Sequence, residues 1–256
     1  MPPKLALQLY TLRDALAQDF AGTLERIAAI SYTAVETAFF PEHISVAQAA
    51  HLIQQAGLTI MAAHCELPLD EQTNPVLEQM AALGCQRIIW HGWPQDADYG
   101  SLDGVQRLAE RYNQANAVAV SNGLRFGLHN HWWEFEPVED QYPYQLLLKL
   151  LDPAIFFELD TYWVKTAGLD PVQVITELGT RAELLHIKDG PAVKGQPMTA
   201  VGDGSQDFPA IAAVANGYAE WMIVELDQCA TDMFTAVERS FAYLTSDPKG
   251  LNLHPS

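Results

Sequence analysis

The chain has 256 residues, 49% of them hydrophobic and 18% charged, a composition that suits a globular protein with a sizeable core and excludes a disordered or fibrous one. Its 14 basic and 32 acidic side chains leave a formal charge of −18, so the averaged field repels phosphate backbones and anionic lipid and argues against nucleic-acid and membrane partners. No run approaches the roughly 18 uninterrupted apolar residues of a membrane-spanning helix, and the apolar start of the chain is already broken at Gln8, so neither a membrane span nor a signal peptide is expected.

In chain order, short apolar runs suited to buried strands are LALQLY (5–10), AVETAF (34–39), TIMAAHCE (59–66), RIIWHG (87–92), LRFGLHNH (124–131), IFFELDTYWV (155–164), LLHIKD (184–189) and WMIVELD (221–227). Helix-like stretches lie between them, among them TLERIAAI (23–30), VAQAAHLIQQAG (46–57) and NPVLEQMAALG (74–84), the last two closed by a glycine. Strand starts recur every 25 to 37 residues, and strand–helix units of that length build parallel sheets through right-handed crossovers. Eight such units in one chain of this size predict a single-domain α/β protein over residues 1–256, a (β/α)8 TIM barrel. The rival, an open doubly wound sheet, lacks its usual GxGxxG after the first strand. Loop 190–208 is the longest excursion. Cys65, Cys85 and Cys229 are distant, odd in number and outside any CxxC pairing, which argues against a disulfide framework or structural zinc and for a reducing, cytoplasmic setting.

In such a barrel the chemistry sits at the C-terminal ends of the strands. Polar residues gather there: Gln8, Glu36, His64 and Glu66, His91, His129 and His131, Glu158 and Asp160, His186 and Lys188, Glu225 and Asp227. Side chains alternate with period two, so each i, i+2 pair shares a face, while Leu128, Leu159, Ile187 and Leu226 turn outward against the helices. A lone strand-end histidine is more often a hydrogen-bonded rim residue than a ligand. His129, Asp160, His186 and Glu225 are different, because four metal-competent side chains from consecutive strands converge on one mouth. Glu158 sits two residues deeper than Asp160, where a carboxylate is costly unless paired or hydrogen-bonded. The tryptophan-rich stretches around Trp90–Trp93 and Trp132–Trp133 read as rim packing, with stacking on a sugar ring as the functional alternative. The Gly-x-Gly of VGDGSQDF (201–208) could cradle an anion, although a turn is the simpler reading.

The pieces LQLYTLRD (7–14), FGLHNHWWEF (126–135), ELDTYWVKTAGLDP (158–171), LLHIKDG (184–190), VGDGSQDF (201–208) and VELD (224–227) together resemble the xylose isomerase-like TIM-barrel superfamily, in its sugar phosphate isomerase/epimerase group. The resemblance implies one divalent metal ion (Mn, Zn, Mg or Co) held by one residue from each of the last four strands. By motif, Asp160, His186 and Glu225 match three of these ligands. Ketose epimerases of this kind have a glutamate on the fifth strand, where this chain has His129, and the HNH form resembles members that act on inososes, keto-sugars or keto-glycosides.

A metal-chelated ketone acidifies its α C–H and stabilises the enediolate. Glu225 is then the expected base, with Glu158 and His131 behind it, and Lys188 neutralises oxyanion charge. Gln8, Glu36, His64, His91 and Trp163 are the expected substrate-binding set. The leading expectation is a metal-dependent sugar isomerase or epimerase acting on a ketose or keto-sugar through an enediolate. The alternatives are a lyase or dehydratase acting on a keto-inositol or keto-glycoside at the same site, and a non-catalytic carbohydrate-binding barrel. The expected partner is a small-molecule sugar, with homo-oligomer formation left open.

Overall fold

A computed structural model describes residues 2–246, 251 and 253–255; the extreme ends of the expected domain, Met1 and Ser256, lie outside them, as do residues 247–250 and 252. Eight parallel strands form the sheet: β1 (Lys4–Gln8), β2 (Ala34–Thr37), β3 (Thr59–Cys65), β4 (Arg87–Trp90), β5 (Arg125–His129), β6 (Phe156–Asp160), β7 (Ala182–Ile187) and β8 (Trp221–Val224). β1 pairs with β8 on one side and with β2 on the other, which closes the barrel and excludes the open sheet. A two-residue strand, His254–Pro255, adds to the start of β1 and had no signal in the sequence.

Period two decides what each strand residue faces. Leu5, Leu7, Val35, Ala63, Phe126, Leu128, Leu159, Leu185, Ile187 and Val224 belong to the main core between sheet and helices. The alternate residues Ala6, Ala34, Ala62, Ile89, Phe156, Leu184, Trp221 and Ile223 form a separate apolar cluster inside the barrel. Gly127 admits the Phe156 ring to that floor, since a Cβ on it would lie 2.4 Å from Phe156 Cε2. Two residues further along each strand the interior turns polar, and this carries Gln8, Glu36, His64, Glu158, His186 and Glu225 upward from the floor.

The sixth predicted strand was too long. β6 stops at Asp160, and the helix Thr161–Thr166 begins at once, because the Asp160 side chain accepts from the backbone N–H of Tyr162 and Trp163. An N-cap carboxylate satisfies donors that a starting helix leaves open, and this outweighs the aromatic run's strand preference. The longest excursion connects β7 to the helix Phe208–Ala215. Cys65 and Cys85 are buried and unpaired, as core residues. Among the described residues no helix is long and apolar enough to cross a membrane.

Candidate active site

Four side chains from β5 to β8 and their C-terminal ends meet at the barrel mouth: His129, Asp160, His186 and Glu225 each offer a ligand atom within 4.8 Å of the others. All four are buried. His129 Nδ1 lies 3.4 Å from the His91 carbonyl, which sets the ring so that Nε2 points into the site, 3.6 Å from Asp160 Oδ2. His129 Nε2 has no hydrogen-bond partner, and Asp160 Oδ2 meets only the Lys188 ammonium, at 3.0 Å. A buried imidazole nitrogen without a partner, facing a buried carboxylate oxygen, is what a divalent cation would satisfy, and the mixed imidazole–carboxylate set suits Zn, Mn or Co. The residues therefore fit the metal that the motifs imply.

Lys188 is buried among three carboxylates, with Nζ 2.8 Å from Glu225 Oε2, 3.0 Å from Asp160 Oδ2 and 3.0 Å from Asp227 Oδ2. Burial alone would lower the Lys188 pKa, but Asp160, Asp227 and Glu225 outweigh it and hold the ammonium charged. Burial likewise works against ionised Glu225, yet Lys188 and His186 keep its pKa well below the usual carboxylate range. His186 bridges two layers: Nδ1 is 2.7 Å from Glu225 Oε2 above and Nε2 is 2.6 Å from Glu36 Oε2 below. Burial opposes a charged imidazole there, but Glu158, Glu225 and Glu36 overcome it and raise His186 well above its ordinary value.

The lower layer departs from expectation. Gln8 and Glu36 do not line the cavity; both are fully buried beneath it, with Gln8 Nε2 donating to Glu36 Oε2 at 2.8 Å. Glu158, the expected second base, is also fully buried in this layer, its Oε2 2.6 Å from His64 Nε2 and 3.2 Å from His186 Nε2. Burial, then the neighbouring Glu158 carboxylate, pushes Glu36 up to about 8; burial also raises Glu158, against the opposing pull of His186. Glu36, His64, Glu158 and His186 also gather ligand atoms within 4.8 Å. Each imidazole there already has a carboxylate at hydrogen-bond distance, so the layer reads first as support that orients His186 from below.

Above these layers opens a cavity of about 380 Å³, and His64, His91, His129, His131, Trp163, Lys188 and Glu225 are among the residues that line it. His131 stacks on Trp133 with centroids 4.3 Å apart, and its Nδ1 is buried without a partner. Burial, then the charges of His129 and Lys188, keep its imidazole well below the ordinary pKa and therefore neutral. Its backbone N–H donates to Glu134 Oε2 at 2.9 Å.

Several lining residues lie outside the expected catalytic, metal and substrate-binding set. Asp227 was legible as the i+2 partner of Glu225, and Trp93 and Trp132 as aromatics after strand ends. Arg13 carried no such signal: it reaches the cavity because Nη1 donates to the Tyr10 carbonyl at 3.0 Å and Nη2 to the Asp227 carbonyl at 2.8 Å. The Gly-x-Gly loop does cradle an anion, and the anion is the chain's own. The buried Asp189 carboxylate accepts from the backbone N–H of Gly190, Gly202, Gly204 and Gln206 at 2.9–3.1 Å.

Against known proteins, a solved sugar phosphate isomerase/epimerase from Parabacteroides distasonis is 28% identical, with a TM-score of 0.81 over 97% of this chain and 95% of that one. A second from the same organism is 26% identical, with a TM-score of 0.79 over 96% and 99%. An L-ribulose 3-epimerase shares the fold at 17% identity, with a TM-score of 0.71 over 94% of this chain and 93% of that one. Inosose dehydratase of Klebsiella pneumoniae is 26% identical over 144 residues, and the match spans about half of each protein, 48% of both. The model of the family "xylose isomerase-like TIM barrel" matches residues 24–245. The closed barrel, the polar mouth and that match over most of the chain agree: this protein belongs to the xylose isomerase-like TIM-barrel family.

Proposed function

We propose that the protein is a metal-dependent enzyme that moves a proton α to the carbonyl of a keto-sugar, with one divalent ion on His129, Asp160, His186 and Glu225. The observation that carries this is the buried, unpartnered His129 Nε2, which faces the Asp160 carboxylate at 3.6 Å beside an open cavity. A divalent ion bound there supplies Lewis-acid polarisation of the ketone. His129 presents Nε2 because its Nδ1 faces the His91 carbonyl, and His186 is held from below by Glu36.

Glu225 is pinned between His186 and Lys188 and kept ionised, which makes it a good ligand and a weak base. His131 is neutral and lines the cavity, so its imidazole takes the proton from the substrate carbon. Lys188 stands at the same floor to balance oxyanion charge. Glu158 has no route to substrate and serves beneath the site.

Isomerisation between ketose and aldose is the leading reaction, as one base on one face is sufficient for it. β-Elimination is the second reading. The same one-sided base favours it, and the similarity to inosose dehydratase supports it. Metal analysis of the purified protein, then proton NMR in D2O with keto-sugars and inososes, tests the proposal. Solvent deuterium should enter at an α carbon and be lost with His131→Gln. Stoichiometric metal without exchange on any member of the panel would leave a sugar-binding barrel instead.

A further inference from the structure

Two large aromatic side chains at the mouth are left in solvent: Phe39, 65% exposed, and Trp93, 56% exposed, and both line the cavity. They stand after β2 and β4, across the mouth from the β5–β8 ligand set. Ring centroids lead outward to them in steps of one ring, 5.1 Å from His129 to His131 and 5.6 Å from His131 to Trp93, while Phe39 stands edge-on 5.4 Å from His91. Exposed aromatic surface joined to a cavity marks a place for apolar ligand faces. A cavity of about 380 Å³ also falls in the range that takes drug-sized ligands, larger than a single sugar ring.

The charges around the cavity point the same way. A phosphate needs free cationic donors or open backbone N–H groups. Lys188 sits among three carboxylates, whose summed charge exceeds its own and repels a phosphate dianion. Arg13 donates to two carbonyls and lies over the Tyr10 ring at 4.3 Å. The backbone cradle that could have held an anion is filled by Asp189.

We infer that the substrate is an unphosphorylated sugar carrying a second ring, with the reacting ring over the His129–Glu225 floor and the second ring against Phe39 and Trp93. The inference rests on the proposed sugar-binding role of the same site. The second ring offers an apolar face, whether it is another pyranose or an aromatic aglycone.

Binding to the metal-loaded protein is measured calorimetrically for matched probes: lactulose and other ketose disaccharides, aryl glycosides, D-fructose and D-fructose 6-phosphate. Two-ring probes should bind tighter than one-ring probes, with the phosphorylated ketose weakest. The preference should fall roughly tenfold in Phe39→Ala and in Trp93→Ala. Which two-ring arm binds tighter identifies the second ring. Preference for the phosphorylated sugar, no preference for any two-ring probe, or a preference unchanged in both variants overturns the inference. So does a wild-type dimer that both variants dissociate, since the patch would then be a contact between two copies of this chain. Deuterium exchange run alongside separates the two claims: a two-ring preference without exchange sinks the proposed reaction and leaves this inference standing, and exchange without the preference does the reverse.

Discussion

Asp160 divides its two oxygens between structure and chemistry. Oδ1 accepts the N–H groups of Tyr162 and Trp163 that start a helix, and Oδ2 faces His129 and the Lys188 ammonium. Asn can still cap a helix but is a poor ligand for a divalent ion. Asp160→Asn is therefore expected to keep its circular dichroism and thermal unfolding close to wild type while metal content drops from about one ion per chain to near zero, read by elemental analysis. Full metal retention in that variant would refute the assignment. Glu134 gives a second test at this scale. Burial pushes its carboxyl up to about 8 from 4.5 while its Oε2 holds the His131 backbone. Because the folded state binds the extra proton, stability falls as pH rises from about 4.5 towards about 8 and is flat beyond. Glu134→Gln removes that slope, so its melting temperature should exceed wild type above pH 8 by a few degrees and converge with it near pH 4. Calorimetric scans across that range check the sign.

The long connection after β7 is organised by one buried anion. Four backbone N–H groups converge on Asp189, and a Cβ at Gly204 would lie 2.2 Å from its Oδ1. Hydrogen bonds to a charged group contribute more than neutral ones, and donors left open near the protein interior are costly. Asp189→Ala and Gly204→Ala should each lower stability by about 2–4 kcal/mol in urea unfolding. They should also expose the 190–206 segment to protease first. Equal cleavage in variant and wild type would show that the cradle does not hold the loop. The loop borders the cavity through Gly195 and Gln196, so the same variants link an internal anion to the shape of the mouth.

Over the whole molecule, a metal that binds only the folded barrel stabilises it by mass action. At a free metal concentration of 100 Kd the gain is about 2.7 kcal/mol, which for a chain of this size is a rise of roughly 5–10 °C in melting temperature. Chelator should reverse it, and no shift with any of Mn, Zn, Mg or Co would refute the centre. His186 is charged in the metal-free protein, because carboxylates face both of its nitrogens. Nδ1 must lose its proton to become a ligand, so binding should release a proton and tighten as pH rises. Calorimetry in buffers of different ionisation enthalpy counts that proton directly.

Barrel architecture was legible in the sequence because it depends on local, periodic information. Apolar runs recurring at strand–helix spacing, with period two inside each run, place Leu128, Leu159 and Ile187 outward and the polar residues inward. The convergence of His129, Asp160, His186 and Glu225 was legible for the same reason, since one strand end from each of four neighbouring strands must meet at one mouth. Depth was legible at Glu158, two residues below Asp160, but not at Gln8 and Glu36. These two share a face with their neighbours along the strand, and the stagger between strands, which pairs Gln8 with Glu36, sinks them below the cavity. Arg13 and Asp189 likewise acquired their partners only through contacts distant in sequence, Arg13 with Asp227 and Asp189 with the 202–206 loop. Local patterning specifies which face a side chain takes. Only the closed, staggered barrel determines which layer it reaches and which charge it meets there.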